Sequence, residues 1–136
     1  RPAEETMSDR SADPLNKIYV EPTNRCNLSC VTCIRHSWDE SFEDIAWPVY
    51  QSLIDGLADF PEATTIAFAG FGEPLLHPRF PDMIRLAHSR GLRTEMTSNA
   101  MLLTSSLAEQ LVDAGHGNPF PVCGDCLWAR GVLRCA

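Results

Sequence analysis

The chain has 136 residues, 44% hydrophobic and 21% charged, with a formal net charge of −7. That length suits one modest domain burying roughly 68–70% of its unfolded surface. Without a dense basic run, neither nucleic acid nor a polybasic membrane anchor is an expected partner.

No stretch approaches the ~18 apolar residues of a membrane-spanning helix. The polar start, Arg1 to Pro14, lacks the apolar centre of an export signal. The expected location is therefore the cytoplasm, where thiols stay reduced. The six cysteines are then expected to hold metal; as disulfides they could pair in about fifteen ways.

Residues 1–15 show no periodicity and read as an N-terminal tail. Ile18-Tyr19-Val20 is a short β-rich run that ends at Glu21-Pro22, since proline cannot continue a central ladder. The thiol stretch follows, Cys26-Asn27-Leu28-Ser29-Cys30-Val31-Thr32-Cys33, with C-x3-C-x2-C spacing. Arg35 to Glu43 is polar and predicts irregular structure or a short turn.

Ile45 to Asp59 predicts a helix, with Val49, Leu53 and Leu57 at i, i+4, i+8 and Tyr50 and Ile54 beside them. Thr64 to Ala69 loses polar alternation after its threonines, which suits a strand covered on both faces of a parallel sheet. Gly70-Phe71-Gly72-Glu73-Pro74 then reads as a turn.

Phe80, Met83, Ile84 and Ala87 mark a second helix over Phe80 to Ser89, with Gly91 just past its end. Leu92 to Thr97 is a third strand candidate, broken by Ser98-Asn99. A third helix is predicted from Ser105 to Ala114, with Thr104 as N-cap, a Leu103–Leu107–Leu111 stripe and Gly115 as its end.

This alternation predicts an α/β fold of about three βα units on a parallel sheet, a partial (β/α) barrel with right-handed crossovers. Chemistry on such a sheet belongs in the loops after the strands' C-terminal ends. The cysteines, the glycine turn and Ser98-Asn99 all fall there, which predicts one site. The expected organisation is a tail over 1–15, a βα core over 16–115 and a Cys-rich segment over 116–136.

Three soft thiolates on one loop suit an iron–sulfur cluster. A closed zinc site wants four ligands, so the spacing alone leaves open a zinc site completed by His36 or a distant cysteine. The flanking residues tell against zinc. Pro22-Thr23-Asn24-Arg25 before the thiols, and a Gly-Glu-Pro turn after the next strand, are not zinc-ribbon features.

In these features the chain resembles the radical S-adenosylmethionine family. The carrying residues are Cys26, Cys30 and Cys33, then Gly70-Phe71-Gly72-Glu73-Pro74, with Thr97-Ser98-Asn99 as a further polar segment. The resemblance implies a 4Fe-4S cluster on the three cysteines and S-adenosylmethionine chelated to its open iron. It implies ligand contacts from Gly70, Phe71, Gly72, Glu73, Pro74, Ser98 and Asn99, in such turns often through backbone. It further implies one-electron cleavage to a 5′-deoxyadenosyl radical, fed by an electron donor protein. Thr32 departs from the family, which usually places an aromatic there beside the adenine.

Cys123-x2-Cys126-x8-Cys135 is, by spacing, half a zinc site or a second cluster. Beside the first triad it resembles the SPASM or Twitch extensions of radical maturases, closest to those of tungsten-cofactor oxidoreductases. That implies a possible auxiliary iron–sulfur cluster and a peptide or metalloenzyme as substrate. His116 is an available further ligand.

Trp38, Trp47 and Trp128 are expected to be packing residues, His77 and His88 to be on the surface, and Asp39, Glu40, Glu43 and Asp44 to form a solvated segment. A whole barrel takes about 200 residues, and an open sheet leaves a bare edge that proteins normally cover. A shortened or spliced, inactive representative is therefore one expectation. The rival function is a non-catalytic iron–sulfur or zinc-binding module.

Overall fold

A computed structural model describes residues 14–115. Three strands, β1 (Lys17–Val20), β2 (Thr65–Phe68) and β3 (Arg93–Met96), alternate with three helices. These are α1 (Trp47–Gly56), α2 (Phe80–Ser89) and α3 (Ser105–Ala114). The predicted alternation is present; β1 begins one residue before its predicted run, and each other predicted segment contains the element observed. Single 3-10 turns at Ile34–Ser37, Leu57–Asp59 and Pro74–Leu76 punctuate the connections.

The sheet is wholly parallel, in the order β1-β2-β3. Its register aligns Ile18, Ile66 and Thr94 in one row and Val20, Phe68 and Met96 in another. Because strand side chains alternate, these two rows share a face. That face meets the helices: Val20, Ile66, Phe68 and Met96 cluster with Tyr50 and Ile54 of α1, Phe80, Met83, Ile84 and Ala87 of α2, and Leu111 and Ala114 of α3. The Phe68 and Phe80 rings meet edge-to-face at 5.0 Å. Tyr50, fully buried, donates its hydroxyl proton to the Met83 carbonyl at 2.9 Å, and burial pushes the phenol's pKa up.

Along α1 the buried side is Tyr50, Ile54 and Leu57, while Val49 is 58% exposed. Of the predicted Val49–Leu53–Leu57 stripe, Leu57 is buried and Leu53 packs partly buried on the core, while Val49 faces out and the predicted neighbours Tyr50 and Ile54 form the centre of the buried side.

β2 is buried at all four positions, as its unbroken apolar pattern predicts. The two faces are covered differently. Helices cover one; on the other, Lys17 of β1 and Glu95 of β3 meet at 2.7 Å across the middle strand. The pair can close there because β2 presents only Thr65 and Ala67 on that side. Hydrogen bonding to Glu95 raises the Lys17 pKa, outweighing the partial desolvation that opposes it.

Thr104 caps α3 as predicted, its Oγ1 accepting the Leu107 N–H at 3.2 Å. Among the described residues no helix is long and apolar enough to cross a membrane. Cys123, Cys126, Cys135, His116 and Trp128 lie outside the described residues, as does most of the expected tail.

Candidate functional site

Three loops leave the C-terminal ends of the strands: residues 21–46 after β1, 69–79 after β2 and 97–104 after β3. The first carries the thiols and is closed at its base. Ile45 N–H donates to the Pro22 carbonyl at 2.8 Å, Asn24 N–H to the Glu43 carbonyl at 3.2 Å, and Thr23 bridges Asp44 in antiparallel fashion. Side chains reinforce this neck. Asn24 donates to the Ser41 carbonyl and accepts the Glu43 N–H at 2.7 Å. Arg25 grips both oxygens of Asp44 at 2.7 Å.

Asp44 is thus a fastening rather than part of a solvated run. Burial alone would raise its carboxyl pKa, but the hydrogen bond with Thr23 and the Arg25 guanidinium outweigh that and hold it below its ordinary range.

The glycine turn docks directly on this neck. Glu73 N–H donates to the Arg25 carbonyl at 2.7 Å, and Arg25 also reaches the Leu76 carbonyl at 3.4 Å. Gly72 lies so close that a Cβ there would stand 1.8 Å from the Thr23 carbonyl oxygen. Gly70 has φ of +143°, and a Cβ on it would strike the Glu21 side chain. The Glu21 carboxylate accepts the N–H groups of Phe71 and Gly72 at 2.5 and 3.1 Å. Successive N–H groups in such a turn form an anion-binding concavity, and here Glu21 fills it. Both glycines therefore serve contacts within the protein. Phe71, half exposed, packs edge-to-face on Trp38 at 5.0 Å.

Glu73 is 2% exposed, so its carboxylate needs partners. It takes three: Ser98 Oγ at 2.7 Å, Asn99 N–H at 2.7 Å and Leu75 N–H at 3.1 Å. The second and third loops are thereby joined through one buried side chain. Asn99 continues the chain of contacts to the first loop, its Nδ2 donating to Asn27 Oδ1 at 3.0 Å and to Cys26 Sγ at 3.7 Å. Cys26 Sγ also accepts the Leu28 N–H at 3.5 Å.

The sequence-predicted residues Cys26, Gly70, Phe71, Gly72, Glu73, Pro74, Ser98 and Asn99 thus meet at one end of the sheet. Cys30 and Cys33 share the loop with Cys26; all three thiols are half-buried, and Cys33 N–H donates to the Cys30 carbonyl at 3.0 Å. His36, the candidate fourth zinc ligand, places Nε2 2.9 Å from the Cys30 carbonyl oxygen. Thr32 is exposed.

Sequence reasoning missed Glu21, Thr23, Arg25 and Asp44 as the frame of the site. The Arg25/Asp44 charge pair flanking the cysteines was the available signal. It also misplaced the histidines. His77 is buried; its Nδ1 accepts the Arg79 N–H at 3.1 Å, which leaves Nε2–H to donate to the Ile45 carbonyl at 3.3 Å. His88 is half-buried against Thr94 Oγ1 at 2.9 Å. The Ile45 carbonyl lies 32 residues before His77, and Thr94 lies on the strand after the helix of His88, so neither contact shows in helical spacing.

Among the described residues no three His, Cys, Asp or Glu side chains converge on a point that a single metal ion could occupy. A cluster makes a different demand, because each thiolate takes a separate iron. Three half-buried thiols on one loop with a fastened base are of the right donor type and number for three of the cluster's irons, and the sulfur of Cys26 already receives two N–H donors.

A parallel βα sheet whose thiol loop, glycine turn and polar turn interlock at the strand ends defines a class: α/β proteins of the partial-barrel kind. The profile of the Radical SAM superfamily matches residues 20–121, and the chain belongs to that superfamily.

Among curated proteins it is similar to the tungsten-containing aldehyde ferredoxin oxidoreductase cofactor-modifying protein of Pyrococcus furiosus. Identity is 37% over 98 residues, covering 72% of this chain and 28% of the relative. It is also 34% identical over 106 residues to the Fe-coproporphyrin III synthase of Methanosarcina barkeri, covering 77% and 26%. The crystal structure of BtrN in complex with AdoMet and 2-DOIA shares the fold, with a TM-score of 0.69 at 23% identity. That match covers 76% of this chain and 43% of BtrN. The chain thus spans between 26% and 28% of the length of these two curated relatives.

Proposed function

We propose that Cys26, Cys30 and Cys33 hold a 4Fe-4S cluster and that S-adenosylmethionine binds beside it, against the turn Gly70-Phe71-Gly72-Glu73-Pro74 and Ser98-Asn99. The observation that carries this reading is the continuous contact from Glu73 through Asn99 to Cys26, which brings all three loops to one place. When bound, the pair supplies reductive cleavage to a 5′-deoxyadenosyl radical. The protein's own part is to fix the thiols, to hold the glycine turn against the thiol loop and to shield the site with its buried apolar layer.

The reaction class is maturation of a peptide or enzyme cofactor. The functions that the Pyrococcus and Methanosarcina relatives are named for, cofactor modification and coproporphyrin synthesis, support it. An electron donor protein would supply the reducing equivalent in the cytoplasm. Cys123, Cys126 and Cys135 would hold an auxiliary iron–sulfur cluster of the SPASM/Twitch kind, with a peptide or metalloenzyme as partner. The core that does the binding is residues 16–115.

Anaerobic reconstitution of the 136-residue chain with iron and sulfide tests this. A brown protein whose spectrum shifts on adding S-adenosylmethionine, with 5′-deoxyadenosine released on reduction, is the expected outcome. Cluster and S-adenosylmethionine binding without cleavage would establish a non-catalytic iron–sulfur module in place of the enzyme. Colourless protein carrying stoichiometric zinc would establish the zinc-module reading instead.

A further inference from the structure

We propose that Asn99 is a positioning residue that sets the reduction potential of the cluster through its hydrogen bond to the Cys26 sulfur. This rests on the cluster reading above and adds to it a role for Asn99 that ligand binding does not require.

The orientation of the Asn99 amide follows from its own contacts. Its Oδ1 accepts the Met101 N–H at 3.0 Å, so the oxygen faces Met101 and the NH₂ faces the thiol loop. That group's two protons have two acceptors, Asn27 Oδ1 at 3.0 Å and Cys26 Sγ at 3.7 Å. A flipped amide would set its NH₂ against the Met101 N–H and lose that contact.

The side chain is also held firmly. The backbone N–H of Asn99 donates to Glu73 Oε2 at 2.7 Å. Ser98 is tied to the same carboxylate at 2.7 Å, and its Oγ accepts the Ala100 N–H at 2.9 Å. Asn99 itself is 9% exposed, so water competes little for its amide.

The effect on the thiolate follows from electrostatics. An N–H aimed at a ligand sulfur favours the more negative state of whatever that sulfur binds. Hydrogen bonds to the sulfurs are among the factors that set the potentials of iron–sulfur clusters, and a partly buried dipole acts more strongly than one in water. Asn99 therefore raises the potential and eases arrival of one electron from an external low-potential donor. Glu73 acts one step behind, by aiming Asn99.

Asn99→Ala and Asn99→Asp, reconstituted in the full chain to wild-type iron content, are titrated with dithionite while the reduced cluster is followed by electron paramagnetic resonance. Both are expected to shift the midpoint to lower potential, Asn99→Asp further because it adds a negative charge. Two loaded variants with the wild-type midpoint would overturn the inference while leaving the cluster reading intact. A wild-type chain that takes up no cluster overturns both.

If the variants fail to load, the Asn99 side-chain amide resonance of the metal-free wild type decides. A shift caused by Cys26→Ala and absent in Cys33→Ala supports the contact. An amide that ignores Cys26→Ala overturns it.

Discussion

The Glu73 carboxylate and the Asn99 backbone N–H meet at 2.7 Å inside the protein, joining the loop after β2 to the loop after β3. A charged side chain buried this deeply persists only when its oxygens are satisfied. Glu73→Gln keeps the shape but turns one acceptor into a donor facing either Ser98 or Asn99. It is expected to cost about 1–3 kcal/mol, as leaving a buried polar partner unsatisfied does. Urea denaturation reads that loss directly, and binding of S-adenosylmethionine should weaken alongside it.

Two glycines give opposite predictions for the same substitution. Gly72→Ala places a methyl group 1.8 Å from the Thr23 carbonyl and 2.8 Å from that of Arg25, both backbone atoms that cannot step aside. The turn must then lift off the thiol loop, and the expected loss exceeds about 2 kcal/mol. Gly56, at the end of α1, has helical dihedrals, and a methyl group added there would meet nothing within 4 Å. Gly56→Ala should therefore stabilise by about 0.5–1 kcal/mol. Paired thermal melts check both signs.

Asp44 makes the base of the thiol loop sensitive to acid. Its carboxyl pKa is lowered in the folded state, although burial opposes the lowering; Thr23 and Arg25 together prevail. A group depressed on folding stabilises fully above its unfolded value and loses that contribution as pH falls through the folded value. Asp44→Asn is thus expected to be less stable than wild type at pH 7. The gap should narrow as pH falls below the ordinary carboxylate value of 3.8. Denaturation midpoints of both proteins across that range give the comparison, and a constant gap would contradict the assignment.

At the start of α3, Thr104 Oγ1 accepts the Leu107 N–H at 3.2 Å. Thr104→Ala removes that cap, for an expected loss of about 1 kcal/mol. Thr104→Ser, which restores an acceptor, should recover most of it in the same thermal assay.

Elements were legible wherever a single segment contained its own evidence. The periodicity of Phe80, Met83, Ile84 and Ala87 located α2, and the uniform apolar run of β2 announced a strand buried on both sides. Even the meeting of the three loops was legible, because βα topology puts every strand's C-terminal end at one edge. The fastenings were not. Glu73 reads as one of several turn residues until Ser98 and Asn99, 25 and 26 positions away, are seen on its carboxylate. His77 behaves the same way: its acceptor, the Ile45 carbonyl, lies 32 residues earlier. Polar burial depends on partners distant in sequence, whereas apolar burial shows in local spacing.

The closed neck at Pro22–Arg25 and Glu43–Ile45 has a consequence for how this protein tolerates change in length. Since the ladder and the Arg25–Asp44 grip fix where the loop leaves and rejoins the sheet, extra residues within it need not disturb β1 or α1. The entropy of closing a flexible loop grows only by about 0.6 kcal/mol for each doubling of its length. A short Gly-Ser insertion between Ser37 and Ser41, beyond the last thiol and inside the neck, should leave the melting temperature nearly unchanged. The same insertion between Thr23 and Arg25 would break the register of the neck itself. The thiol loop is thus a module whose length can drift over generations while the βα sheet beneath it stays the same.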